Sequence, residues 1–168
     1  MIYALVRGWL AGMAVLLIEI LLSTFFLAPN FTSPLSNTFA PEPLSLALIA
    51  FLEESLKCLS LRGIARETMP FFRNAIFKGL LVGFGFALFE TCIKILFSAD
   101  NATSSSLVFG TISSTLLHIV TGGILGAAWF SHVRNRPVSI FLILFLFACI
   151  IHAMYNILLA PILFGQFS

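Results

Sequence analysis

The chain has 168 residues, of which 60% are hydrophobic and 10% charged, with a mean hydropathy of +1.07. Soluble domains carry about 25% charged residues, so this composition points to lipid as the solvent and to an integral, multi-pass membrane protein. A net charge of +2 without any basic tract excludes nucleic acid as a partner.

A helix that crosses a bilayer needs about 20 apolar residues. Five stretches qualify, roughly 4–28, 44–62, 76–97, 107–131 and 139–164. They predict an all-α, polytopic membrane helical bundle in a single domain, 1–168, with about five transmembrane helices. The first run is longer than the apolar core of a signal peptide, about 7–15 residues, and contains Glu19, so it is read as a helix. The gaps carry turn chemistry. The first has Pro29, Pro34, Pro41 and Pro43, and the second has Gly63 and Pro70. The third is polar over 98–106, and the fourth holds Arg134, Arg136 and Pro137. Pro161 is expected to kink or end the fifth span.

Basic residues set direction. Arg7 lies at the first span's start; Arg62, Arg66, Arg73 and Lys78 surround the second gap, and Arg134 and Arg136 lie in the fourth. The first and third gaps hold neither Lys nor Arg, which places the N-terminus inside and the C-terminus outside. Asn30-Phe-Thr and Asn101-Ala-Thr match glycosylation sequons in the outer gaps, which matter only in a eukaryotic host. Cys58, Cys92 and Cys149 lie in separate apolar runs and read as small hydrophobes.

Ionisable groups inside the membrane cost about 2.5–3.5 kcal/mol each on insertion scales, so each one asks for a reason. The first span holds Glu19; the second holds Glu53, Glu54 and Lys57; the third holds Glu90 and Lys94; the fourth holds His118; the fifth holds His152 and Asn156. Glu53, Glu90, His118 and His152 fall at similar depth, which predicts that four helices converge on one polar level. Glu53 with Lys57, Glu90 with Lys94, and His152 with Asn156 stand four residues apart and share helix faces. Gly79, Gly83 and Gly85 on the third span, and Gly122, Gly123 and Gly126 on the fourth, permit close helix approach. The bland alternatives are salt bridges that make insertion tolerable, snorkelling lysines, and a structural or accessory Glu19.

The series Glu53-Glu54-x-x-Lys57, Phe86-x-x-x-Glu90, a histidine in the next span, then His152-x-x-x-Asn156 resembles the motifs of PrsW-type intramembrane proteases. These sit within a wider group of glutamate-dependent membrane proteins that includes the CAAX prenyl endopeptidases. The resemblance covers residues 44–164. It implies a membrane endopeptidase acting on another membrane protein, expected to be a single-span chain, with Phe86 and Lys57 supporting the site. The CAAX enzymes carry histidine where Glu90 stands and usually arginine where Lys57 stands, which favours the PrsW side. The expected location is the plasma membrane of a prokaryote, in contact with membrane lipids.

The residue types suit hydrolysis. Glu53 or Glu54, tuned by Lys57, is expected to activate a water as general base. His118, His152 and Asn156 would donate to the oxyanion, and Glu90 would hold a histidine tautomer or a second water. This reading needs no cofactor. Zinc is the competing reading, with His118, His152 and Glu90 or Glu54 as ligands. A proton- or ion-coupled transporter, or a catalytically silent scaffold of the same fold, is the alternative from another class.

Overall fold

The computed structural model describes residues 1–22, 43–68, 70–97 and 104–159. Five α-helices follow in order: α1 (Ile2–Leu22), α2 (Pro43–Thr68), α3 (Phe72–Phe97), α4 (Ser104–Val133) and α5 (Val138–Met154). A π-helical turn, Tyr155–Leu159, continues α5. No strand occurs among the described residues, and the all-α bundle expected from the sequence is the one formed. Most of the first gap, both sequons and Pro161 lie outside the described residues.

α1, α3, α4 and α5 are long and apolar enough to cross a membrane. Their outward faces expose large apolar side chains such as Leu17, Phe77, Leu116 and Ile143, as a lipid-facing surface requires. α2 falls outside that set, because Glu53, Glu54, Lys57 and Arg62 interrupt its apolar run. It packs against all four other helices, and Glu54, Lys57 and Leu61 on it are fully buried. Protein rather than lipid therefore surrounds its charged stretch. α2 also starts one residue earlier than expected, at Pro43, since proline suits a first helical turn where its missing N–H is not needed.

The α4–α5 connection is a Schellman-type cap. Asn135 adopts φ 54°, the Asn135 N–H bonds to the His132 carbonyl at 3.1 Å, and the Arg136 N–H bonds to the Ser131 carbonyl at 3.0 Å. Pro137 then opens α5. Trp129 on α4 donates its indole N–H to the Cys58 carbonyl on α2 at 2.7 Å, fixing these two helices in register.

The most extensive helix contact is between α3 and α4, and glycine permits its closeness. A Cβ on Gly79 would fall on the Gly122 carbonyl oxygen, and one on Gly83 would fall on the His118 carbonyl oxygen. The predicted role of these glycines is realised, with one division of labour: Gly85 faces Leu5 of α1 instead of α4. Gly123 is the least constrained, since its Cβ would meet only the tip of the Leu80 side chain at 2.9 Å.

These contacts predict a steep contrast. Gly83→Val should destabilise the fold by about 3 kcal/mol, the upper end for overpacking, because a backbone carbonyl cannot rotate away. Gly123→Ala should cost under ~1 kcal/mol, because Leu80 can change rotamer. Thermal unfolding of both variants in detergent checks this, and equal melting temperatures would refute the backbone contact.

Candidate active site

Helical spacing lines up the polar residues on each contributing helix. Glu54 and Lys57 stand three apart on α2; Phe86, Glu90 and Lys94 repeat every four on α3; Ser114, His118 and Thr121 share one face of α4. His152 is the contribution of α5, buried close to its end. All of these meet in one cluster.

Lys57 is its centre. The ammonium has no exposure to solvent. It donates to Glu54 Oε1 at 2.5 Å, to His118 Nδ1 at 3.0 Å and to Thr121 Oγ1 at 3.2 Å. Lysine has three N–H donors and no acceptor, so all three are satisfied. The Phe86 ring lies 4.9 Å from Nζ, adding a cation–π contact. The sequence paired Lys57 with Glu53; the fold pairs it with Glu54, three residues away, and both spacings put side chains on one face.

The tautomers follow from these bonds. Lys57 can only donate, so His118 Nδ1 must be the acceptor, and the His118 proton resides on Nε2. That N–H donates to Glu90 Oε2 at 2.6 Å. The same Glu90 oxygen accepts from Ser114 at 2.8 Å, and Oε1 pairs with Lys94 at 2.6 Å. On the other side, His152 Nδ1 lies 2.6 Å from Glu54 Oε1 and donates to it. A neutral His152 then turns an Nε2 lone pair toward Glu53, whose Oε2 is 3.5 Å away. The two imidazoles are edge to face with centroids 5.0 Å apart.

Two buried carboxylate oxygens, Glu53 Oε2 and Glu54 Oε2, have no hydrogen-bond partner. Burying such an atom unpaired costs about 1–3 kcal/mol, and more when it is charged. Glu53, His118 and His152 each bring a ligand atom within 4.8 Å of the others. The zinc reading from the sequence took Glu90 or Glu54 as the carboxylate. In the fold Glu53 joins the two histidines, while Glu54 and Glu90 hold the imidazoles from behind. Two histidines and a carboxylate are a donor set that zinc accepts, and carboxylates behind ligating imidazoles are the usual support. The charge balance agrees: among the described residues, Glu19, Glu53, Glu54 and Glu90 are matched at this level by Lys57 and Lys94, and a dication would make up the difference. The residues fit a divalent metal.

Beside the cluster, a cavity of about 180 Å³ opens between α1, α2 and α3, with Glu19, Glu53, Phe86 and Glu90 among its walls. It has room for several waters. Glu19, read from the sequence as isolated, thus shares a cavity with two carboxylates of the cluster. Asn156 behaves differently from expectation. It is half-buried in the π-helical turn and joins none of these bonds. The wider π turn shifts it off the His152 face. The neighbouring Tyr155 hydroxyl instead meets Ser113 Oγ at 2.7 Å, pinning the turn to α4. Sequence reasoning passed over Ser114 and Thr121, although their positions one turn either side of His118 are a helical-spacing signal.

No curated protein and no solved structure matches the chain. A family model does, described as the PrsW family intramembrane metalloprotease, and its match over residues 1–167 takes in α1 as well as the motif-bearing helices. The chain belongs to that family.

Proposed function

We propose that the cluster hydrolyses a peptide bond in or next to the membrane span of a substrate protein, with a zinc-type dication held by Glu53, His118 and His152. The observation that carries this reading is the unpartnered buried oxygen of Glu53 beside the His152 Nε2 lone pair, on the wall of a cavity of about 180 Å³. As arranged, both imidazole N–H groups are committed, His118 to Glu90 and His152 to Glu54. Neither histidine offers a proton to an oxyanion, so the metal-free version is the weaker one. When bound, such an ion supplies Lewis-acid polarisation of water and of the substrate carbonyl.

The chain's own residues divide the remaining work. Glu54 Oε1 is fixed by Lys57 and His152, which leaves its second oxygen as the acceptor for the proton of the attacking water. The water oxygen bonds to the carbonyl carbon, one of its protons passes to Glu54 and on to the amide nitrogen, and the C–N bond breaks to give a carboxylic acid and an amine, the acid's proton then moving to the amine. Glu90 holds His118 in one tautomer. Lys57 keeps Glu54 and Thr121 as partners when His118 Nδ1 turns to a cation. The cavity between α1 and α3 is where substrate backbone and water would reach Glu53. The charge pattern of the loops supports an orientation with the N-terminus inside and the C-terminus outside.

Three outcomes test this. Terminal-peptide proteomics on membranes of cells expressing wild type or Glu54→Gln at equal levels should show new termini in or beside spans with wild type only. A general base is worth about 10²–10⁴-fold, so the variant's signal should vanish; matching profiles would argue for a silent scaffold. Purified wild-type protein should carry stoichiometric zinc, and His152→Ala should lose it together with activity. Full activity in chelated, metal-free protein would overturn the metal. Glu90→Gln should weaken metal retention by about 10–100-fold, the usual weight of a carboxylate behind a ligating histidine. Unchanged retention would detach Glu90 from the site.

A further inference from the structure

A second cavity, larger than the one beside the cluster, lies away from it, at the C-terminal end of α2 and beside the α4–α5 turn. It measures about 590 Å³, and its walls include Arg62, Trp129, His132, Asn135, Phe141 and Leu142. One side is polar and basic and the other apolar.

The apolar side is stiff. Trp129, anchored to the Cys58 carbonyl, stacks edge-on with His132 at 5.3 Å and with Phe141 at 5.3 Å, and Phe141 continues to Phe145 at 6.4 Å. The polar side is unsatisfied. The Arg62 side chain donates to no partner among the described residues, whereas Arg134, on the α4–α5 turn, is spent on the Pro70 carbonyl and the Phe130 ring. This end of the bundle is strongly cationic. Arg7, Arg62, Arg66, Arg73, Arg134 and Arg136 belong to it, and Glu67 is its only acid by sequence. Arg7 reaches the Ser60 carbonyl at 3.3 Å, which places the start of α1 at the same end as the end of α2.

From this combination we propose that the cavity is a binding site for one anionic phospholipid. Its phosphate would lie on Arg62 with His132 and Asn135 alongside, and an acyl chain would run along Phe141 and Leu142. A planar guanidinium suits a phosphate diester through paired hydrogen bonds. An aromatic wall at the level where charge gives way to hydrocarbon suits the glycerol region of a lipid. The charge bias sends this end to the cytoplasmic leaflet, where anionic lipids concentrate. A free phosphate would leave the apolar wall unused, and a zwitterionic lipid would leave the cationic bias uncompensated.

The test needs no peptide substrate, so it stands apart from the protease reading. The full chain is placed in nanodiscs of equal parts phosphatidylcholine and phosphatidylglycerol, released into detergent, and its retained lipid weighed by native mass spectrometry. Wild type should retain a single phosphatidylglycerol in preference to phosphatidylcholine. Arg62→Gln should lower that retention about fivefold, the weight of one basic residue at an anionic surface. Arg136→Gln, outside the cavity walls, should leave it unchanged. Leu142→Glu, which sets a like charge on the exposed apolar wall, should lower retention even if Arg62→Gln proves unstable. Equal retention of the two lipids would overturn the proposal, as would indifference to both cavity variants. Displacement of the lipid by inorganic phosphate would reassign the cavity to a free anion.

Discussion

An ammonium group held away from solvent inside a membrane bundle needs every N–H on an acceptor and an anion within reach, because burying a charge without both costs several kcal/mol. Lys57 meets that demand with one carboxylate, one imidazole and one hydroxyl. Two of those acceptors, His118 and Thr121, belong to α4, so the demand of one side chain on α2 sets the register of two helices. It also dictates chemistry. A donor-only partner at Nδ1 forces the His118 proton onto Nε2 and toward Glu90, while Glu54 takes the His152 N–H on the same oxygen that receives Lys57. The bonds run without a break from Lys94 through Glu90, His118, Lys57 and Glu54 to His152, joining α3, α4, α2 and α5. Removing one member of such a network leaves others buried and unpaired, so its parts are coupled in energy.

Short bonds across helices need short distances between backbones. The Glu90–His118 contact of 2.6 Å spans α3 and α4, and it is possible because Gly83 lets α3 lie against the His118 carbonyl. Any side chain at Gly83 would move the imidazole away from its carboxylate. The glycines therefore do more than fill space: by removing Cβ atoms they hold ionisable groups at bonding range in a medium where water cannot bridge a gap.

Much of this was legible in the sequence. Apolar run length located the helices, and shared depth predicted that Glu53, Glu90, His118 and His152 converge, because rise per residue converts position directly into height. What the sequence left open was angular and long-range. Spacings of three and four both place partners on one face, so nothing local said whether Lys57 takes Glu53 or Glu54. The α-helical period put Asn156 on the His152 face, and a π turn after Met154 undid that. Glu19 had no local motif, since its neighbours Glu53 and Glu90 come from other helices. The extent of α2 shows the opposite case: its charges lower its hydropathy below that of a free-standing span, yet four surrounding helices supply the environment the bilayer would not.

That enclosure bears on why α2 carries two adjacent glutamates. Each ionised group there works against insertion by about 2.5–3.5 kcal/mol, and Lys57 offsets one of them. A bundle needing only internal cohesion would be complete with the Glu54–Lys57 pair, His118 and Thr121. Glu53 adds a second carboxylate, buried to 8% exposure, with one buried oxygen that has no hydrogen-bond partner. Such an oxygen destabilises the resting fold. Its position next to a histidine lone pair and a cavity means that whatever binds there, ion or substrate, relieves the penalty on arrival. The unpartnered oxygen of Glu53 thus adds to the binding energy of whatever ion or water it meets, which is how a bundle with few polar groups can hold a ligand at the level of the lipid chains.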